Sequence, residues 1–261
     1  MKETNNLLVT KKEDKYATSL KKLDFTPFTD GVLTTNNYFL LKNGQTGGYL
    51  VIDTDDKNSN YDSAFAVTTN PLMNFPCPRS LFKIEKYSKY SKSLLNNTNS
   101  NSNSITSSNN QPELINYGDK ICIVSHPDIF NQNLYLFSTL LSPQSYSRFS
   151  RNQEVLVNAD REYNSCWVIE HLDSTLRYTM EGKPVSITDP FVIRHAATGK
   201  LLGSDLVDYY NDYGHEYEVC CNNFLTNNKY QTLISEKEGK LKIDTKTRIE
   251  KEQNIWIVVD Q

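Results

Sequence analysis

The strongest constraint on this chain is internal repetition. The stretch NSCWVIEHLD, Asn164 to Asp173, is echoed by NIWIVVD, Asn254 to Asp260, and these hold the only two Trp residues of 261. Each sets a Trp in a β-branched run with an Asn before it and an acid after it. Aligning the chain against itself extends the echo to three units of four short runs, a step that precedes any fold assignment. Unit one reads YFLLKN (38–43), GGYLVIDTD (47–55), SAFAVTTN (63–70) and SLFKIEK (80–86). Unit two reads YGDKICIVS (117–125), LYLFSTLLS (134–142), QEVLVNAD (153–160) and CWVIEHLD (166–173). Unit three reads DPFVIRHAATG (189–199), KLLGSDLV (200–207), YEVCCNNF (217–224) and NIWIVVD (254–260). The runs are rich in β-branched and aromatic residues, lack long helical periodicity, and are bounded by Gly, Asn, Asp and Pro, so they read as strands.

Twelve strands in three equivalent sets predict a closed threefold arrangement, because closure removes exposed sheet edges. The expected fold class is all-β, a β-trefoil covering about residues 30–261. Phe82, Trp167 and Trp256 hold matching places in the fourth strands. An aromatic that recurs at a pseudo-symmetric strand position belongs to the core rather than to a sugar-stacking platform. Two segments stand outside the pattern. Residues 1–29 form an arm in which Tyr16, Leu20 and Leu23 mark one weak helical face, ended by Pro27. An arm of this kind buries little by itself and either frays or docks on a partner. The Asn/Ser-rich stretch at about 88–112 has almost no apolar mass and is expected to be a disordered insertion.

Several of these runs resemble the MIR branch of the β-trefoils. FVIRHAATGKLLGSD (191–205) is similar to its strand, His, Thr-Gly turn and Leu-rich strand. HEYEVCC (215–221) and NQEVLVNADREYNSCWVIE (152–170) resemble its Glu-Val strand and its Asn-x-x-Trp strand. The order YGDKICIV, NSCWVIEHLD, LRYTMEGKPVSITDPFVIRHAATGKLL and a terminal W-x-V looks, more narrowly, like that of the cilia- and flagella-associated MIR-like proteins of motile axonemes. The resemblance spans roughly residues 30–261 and is strongest from 115 onward; the Asn-rich insertion and the long 225–253 connection depart from it. It implies a non-enzymatic structural protein in the lumen of the axonemal doublet microtubule, with tubulin and other microtubule inner proteins as partners. It brings no catalytic residues and no cofactor.

Composition narrows the other classes. A formal net charge of −3 with a pI near 5.9 argues against nucleic acid as a partner, which draws a basic face. No apolar run approaches the roughly 18 residues of a membrane span, and the first fifteen residues lack an apolar signal core. The five Cys are odd in number and without a CxxC pair, which fits reduced, packed thiols in a cytoplasmic compartment. His126, His171, His195 and His215 lack metal-ligand spacing. No G-x-S-x-G occurs. NGQTGGYL (43–50) lacks a phosphate-loop ending and reads as a hairpin turn. Asp55 and Asp56 lie in a polar loop without the Gly and Glu offsets of a calcium loop. No small-molecule substrate is expected.

The candidate partner-binding residues lie where the repeat does not reach. Tyr209, Tyr210 and Tyr213 cluster with Tyr217 and several acids in VDYYNDYGHEYE. Exposed Tyr supplies contact area with a polar handle, and the other reading is a loop that only caps the barrel mouth. The pairs Lys11–Lys12 and Lys21–Lys22 can steer the arm to an acidic partner such as tubulin, or belong to a solvated arm. A carbohydrate-binding trefoil is the alternative to the ciliary reading; it requires a Trp or Tyr exposed beside an Asp.

Overall fold

The computed structural model describes residues 8–25, 27–28, 30–35, 37–57, 61, 64–73, 75–88, 112–226, 229–240 and 249–260. Residues 89–111, which hold nearly all of the expected Asn/Ser-rich insertion, lie outside this set. The strands are β1 (Tyr38–Asn43), β2 (Tyr49–Lys57), β3 (Phe65–Asn70), β4 (Phe82–Lys86), β5 (Lys120–Ser125) and β6 (Tyr135–Ser138). They continue with β7 (Gln153–Asn158), β8 (Trp167–His171), β9 (Phe191–His195), β10 (Leu202–Asn211), β11 (Gly214–Cys221) and β12 (Trp256–Val259). Each overlaps one of the expected runs. Among the described residues the α-helices are α1 (Leu8–Ser19), which precedes β1, α2 (Arg177–Met180) and α3 (Lys229–Lys237).

First and fourth strands close an antiparallel ring in the order β1, β4, β5, β8, β9, β12 and back to β1. Third strands close a smaller ring, β3 with β7, β7 with β11 and β11 with β3. Second strands pair with the third strand of their own unit as hairpins. A six-stranded barrel capped by a hairpin triplet is a β-trefoil.

The register shows the pseudo-symmetry residue by residue. Within each unit the fourth-strand aromatic faces a first-strand apolar residue: Phe39 opposite Phe82, Ile121 opposite Trp167, Phe191 opposite Trp256. Across unit boundaries the same aromatic faces a buried polar residue: Phe82 opposite Ser125, Trp167 opposite His195, Trp256 opposite Asn43. Side chains of a strand alternate between its faces, so Phe39 and Leu41, Ile121 and Ile123, and Phe191 and Ile193 all enter one core. Each such side chain contributes about 2–3 kcal/mol by leaving water. A turn precedes each fourth strand, 3-10 helical in units two and three, and delivers a buried polar residue two places before the aromatic, namely Ser80, Ser165 and Asn254.

Two hairpins of the barrel share one turn chemistry. Gly47 and Gly199 hold φ of +64° and +70°, a region open to Gly at little cost. Their N–H groups return to Asn43 O at 3.1 Å and His195 O at 2.9 Å. The glycine-rich NGQTGGYL is therefore a hairpin turn.

Candidate functional site

β10 continues from the Leu-rich strand through Asn211, and β11 returns from Gly214, with Tyr210 opposite His215 and Asn211 opposite Gly214. The Tyr-rich stretch is thus a long hairpin and not a loop, so its tyrosines sort by strand alternation. Tyr209 is buried, its hydroxyl on Asp56 and its ring edge-on to Phe149 at 5.5 Å. Burial, then the bond to Asp56, push its phenol far above the ordinary range. Tyr210 points the other way and is exposed, 5.0 Å from the His215 ring.

Tyr213 at the hairpin tip is half-buried because α1 lies on it. The Tyr16 ring meets the Tyr213 ring edge-on at 4.9 Å. The Tyr213 hydroxyl lies 2.9 Å from Ser19 Oγ and 2.6 Å from Thr54 Oγ1. Lys12 pairs with Asp212 on the same tip, while Lys15 Nζ and the Tyr16 hydroxyl each reach Asp55 of β2 at 2.6 Å. Among its described side chains the helix is therefore seated by charge, hydrogen bonds and the Tyr16 ring. Burial raises the Asp55 carboxyl, but its bonds to Lys15 and Tyr16 outweigh this and hold it below the usual carboxylate range. Asp212 is held low by its bond to Lys12 and then by Tyr16.

Beneath Tyr213 lies a buried ion pair that sequence reasoning missed. Arg79 and Glu216 are both 0% exposed, and Arg79 Nη2 meets Glu216 Oε1 at 2.8 Å. The Arg79 guanidinium also stacks 3.5 Å from the Tyr213 ring centroid and gives its Nε to Ile52 O at 3.0 Å. Glu216 accepts further bonds from Thr68 at 2.5 Å, Asn70 at 2.9 Å and Asn211 at 2.7 Å. Such satisfaction is what makes a buried charge tolerable. The available signal was Glu216, Glu218 and Cys220 recurring on one face of β11. Glu218 anchors a loop by accepting from Phe149 N at 2.7 Å and Ser150 N at 2.9 Å.

Of the residues proposed from sequence to meet a partner, Lys11, Lys21, Lys22 and Tyr210 are exposed. Lys12 and Tyr213 are engaged between helix and trefoil, and Tyr209 is buried under Phe149. The structure brings Lys12 and Tyr213 together, and Tyr210 lies on the opposite hairpin face from Tyr209.

The remaining chemical candidates are structural. Trp167 and Trp256 are fully buried and cannot stack on a sugar. His195 is buried, with Nε2 on Asn164 O at 2.9 Å and Nδ1 on Thr198 Oγ1 at 2.9 Å. All five Cys are free and buried. Burial pushes the Cys220 thiol up to about 12 and the Cys166 thiol to about 11, which leaves them protonated and unreactive. Among the described residues no three His, Cys, Asp or Glu are grouped as a metal site.

Solved structures of similar fold include the SDF2-like protein from Arabidopsis thaliana, 17% identical over 88% of this chain and 95% of that one, with a TM-score of 0.54. A Caenorhabditis elegans protein with unknown function is 16% identical over 89% and 98% of the two chains, TM-score 0.55. The Saccharomyces cerevisiae protein O-mannosyltransferase Pmt1-Pmt2 complex bound to the sugar donor is 18% identical over 94% of this chain and 27% of that one, TM-score 0.51. At these identities the likeness is one of fold. Comparison with curated protein sequences returns no significant match. The sequence profile of the cilia- and flagella-associated protein 161-like domain matches residues 92–234, more than half of the chain. The matched stretch holds β5 to β11, and the chain belongs to the cilia- and flagella-associated protein 161-like family.

Proposed function

We propose that this protein is a non-enzymatic structural component of motile cilia, a microtubule inner protein that binds the luminal face of the axonemal doublet and neighbouring inner proteins. The observation that carries this reading is the family match over residues 92–234. In this reading the twelve strands act as one rigid body and α1 (Leu8–Ser19) as an arm laid along it. The mechanism is geometric: a closed barrel has no free sheet edge to extend and so holds its surface loops at fixed spacing. Lys11, Lys21 and Lys22 are exposed on the arm segment and Tyr210 on the long hairpin, where cations suit an acidic tubulin wall and an exposed Tyr suits an interface.

Extraction of isolated axonemes tests it. After detergent removes membrane and soluble matrix, the protein is expected to remain with the doublets and to leave only when they are dissolved. Release with the matrix fraction would contradict the proposal.

A further inference from the structure

Three strands of the barrel present one row of side chains. Lys120 of β5 stands opposite Val168 of β8, which stands opposite Arg194 of β9. Directly paired residues project to one side of a sheet, and strands lie about 4.8 Å apart, so the two cations flank Val168 with Cα atoms about 10 Å apart. The row floors a cleft of about 360 Å³, walled by Tyr163 on one side and by Arg177, Tyr178 and Glu181 of the α2 segment on the other.

The charges of this cleft do not all cancel internally. Arg194 gives Nε to Glu170 at 2.5 Å, and the second Glu170 oxygen lies 3.3 Å from Arg177. Arg177 spends its other donors on His171 O at 3.0 Å and Glu250 at 2.6 Å. Among the described residues, Lys120 has no carboxylate partner and stands 5.7 Å from the Tyr163 ring centroid. The terminal nitrogens of Arg194 likewise make no hydrogen bond among those residues. The carboxylate of Glu181, folded over Gly118, also lines the cleft. Cation is therefore left on the β5 and β9 side, and Tyr163 and Tyr178 expose ring surface at the rim.

From this geometry we propose that the cleft binds an extended acidic segment of a partner protein. A span of about 10 Å matches carboxylates three residues apart on an extended polyproline II segment, which turns once every three residues at about 3.1 Å per residue and so presents both to one side. The apolar floor of Val168 receives the backbone stretch between them. Arg and Lys each bind carboxylate by charge-assisted bonds. A compact phosphate needs its donors converged on one centre and gains only one end of this row. Glu181 sets direction, because it repels the acidic portion from the α2 wall. The chemistry of the cleft is independent of the compartment in which the protein works.

The test is fluorescence polarisation with the full chain and an end-blocked, fluorescein-labelled hexaglutamate peptide. Binding is expected to saturate, to weaken between 50 and 200 mM NaCl, and to fall about tenfold or more in Lys120→Gln, the loss that removal of one charge-assisted contact brings. Lys120→Arg should restore it. Lys237→Gln, at the exposed end of α3, should leave it unchanged, and near-ultraviolet circular dichroism should match across all variants. Absence of saturable binding, equal affinity in Lys120→Gln, or displacement by inorganic phosphate as effective as by unlabelled hexaglutamate would each overturn the assignment.

Discussion

The indole nitrogen of Trp167 donates to the backbone carbonyl of Leu136 at 2.7 Å. One unit later, Trp256 makes the same bond to Leu202 at 3.0 Å. In unit one the equivalent pair is Phe82 and Leu50, all six side chains being buried, and Phe has no donor to give. The threefold frame therefore tolerates an aromatic without the hydrogen bond. Trp167→Phe should cost about 1–2 kcal/mol, one buried hydrogen bond and a small void. Trp167→Ala should cost about 3–5 kcal/mol. Urea denaturation of both variants checks the contrast, and equal losses would refute it.

Arg79 and Glu216 form a fully buried pair in which Thr68, Asn70 and Asn211 donate to Glu216 and Ile52 O accepts from Arg79 Nε, while Arg79 Nη1 has no hydrogen-bond partner among the described residues. Removing one member leaves the other charged in a dry site. Arg79→Ala and Glu216→Gln should each destabilise by about 3–5 kcal/mol. A combined Arg79→Met and Glu216→Leu variant should lose less than the two single losses together, since no charge is stranded. Single variants within 1 kcal/mol of the parent chain would show that the pair does not hold the hairpin to β2 and β3.

The seat of α1 is electrostatic, so it should respond to charge, salt and acid. Lys12→Glu with Lys15→Glu places four carboxylates together and should free the helix, giving rapid proteolysis near residues 20–25. High salt should act in the same direction. Asp55 and Asp212 both titrate below the ordinary carboxylate range in the folded chain. A depressed carboxylate stabilises above its unfolded value, about 3.9, and loses that contribution as pH falls through its folded value. Undocking should therefore begin only below about pH 4, with the trefoil intact. Amide exchange of residues 8–19 reports it directly; protection that persists at pH 3 in 1 M salt would rule out this seat.

His195 offers a second pH signature in a different window. Burial depresses its pKa, against a smaller opposing bond to Asn164 O. The unfolded chain takes up this proton near pH 6.5 while the folded chain resists it. Stability held above pH 6.5 should therefore fall as pH drops below it. Asn43 occupies the equivalent place in unit one, opposite Trp256. His195→Asn should lower stability at pH 7 yet flatten the decline from pH 7 to 5. A decline of unchanged slope would place the linkage elsewhere, His126 being the other ring depressed by burial.

Legibility in the sequence followed periodicity. All twelve strands were legible because a barrel wall imposes alternation, and because Phe82, Trp167 and Trp256 recur where each unit closes. The turn at Gly47 was legible from local chemistry alone. The contacts of Tyr213 were not, because they depend on a helix 194 residues earlier in the chain. Arg79 and Glu216 stand 137 positions apart and belong to no repeat. Their pairing is a product of closure, which local pattern does not encode. The cleft beside α2 was hidden for the same reason, since Lys120 and Arg194 become neighbours only across β8.

The central claim, residence inside the doublet, is tested most directly by a density map of intact axonemal doublets at side-chain resolution. The predicted result is a twelve-stranded trefoil on the luminal wall, with Trp167 and Trp256 in its core and the Lys11, Lys21 and Lys22 side of the molecule against tubulin. A luminal wall without that trefoil, or the same density on the outer surface of the doublet, would contradict it.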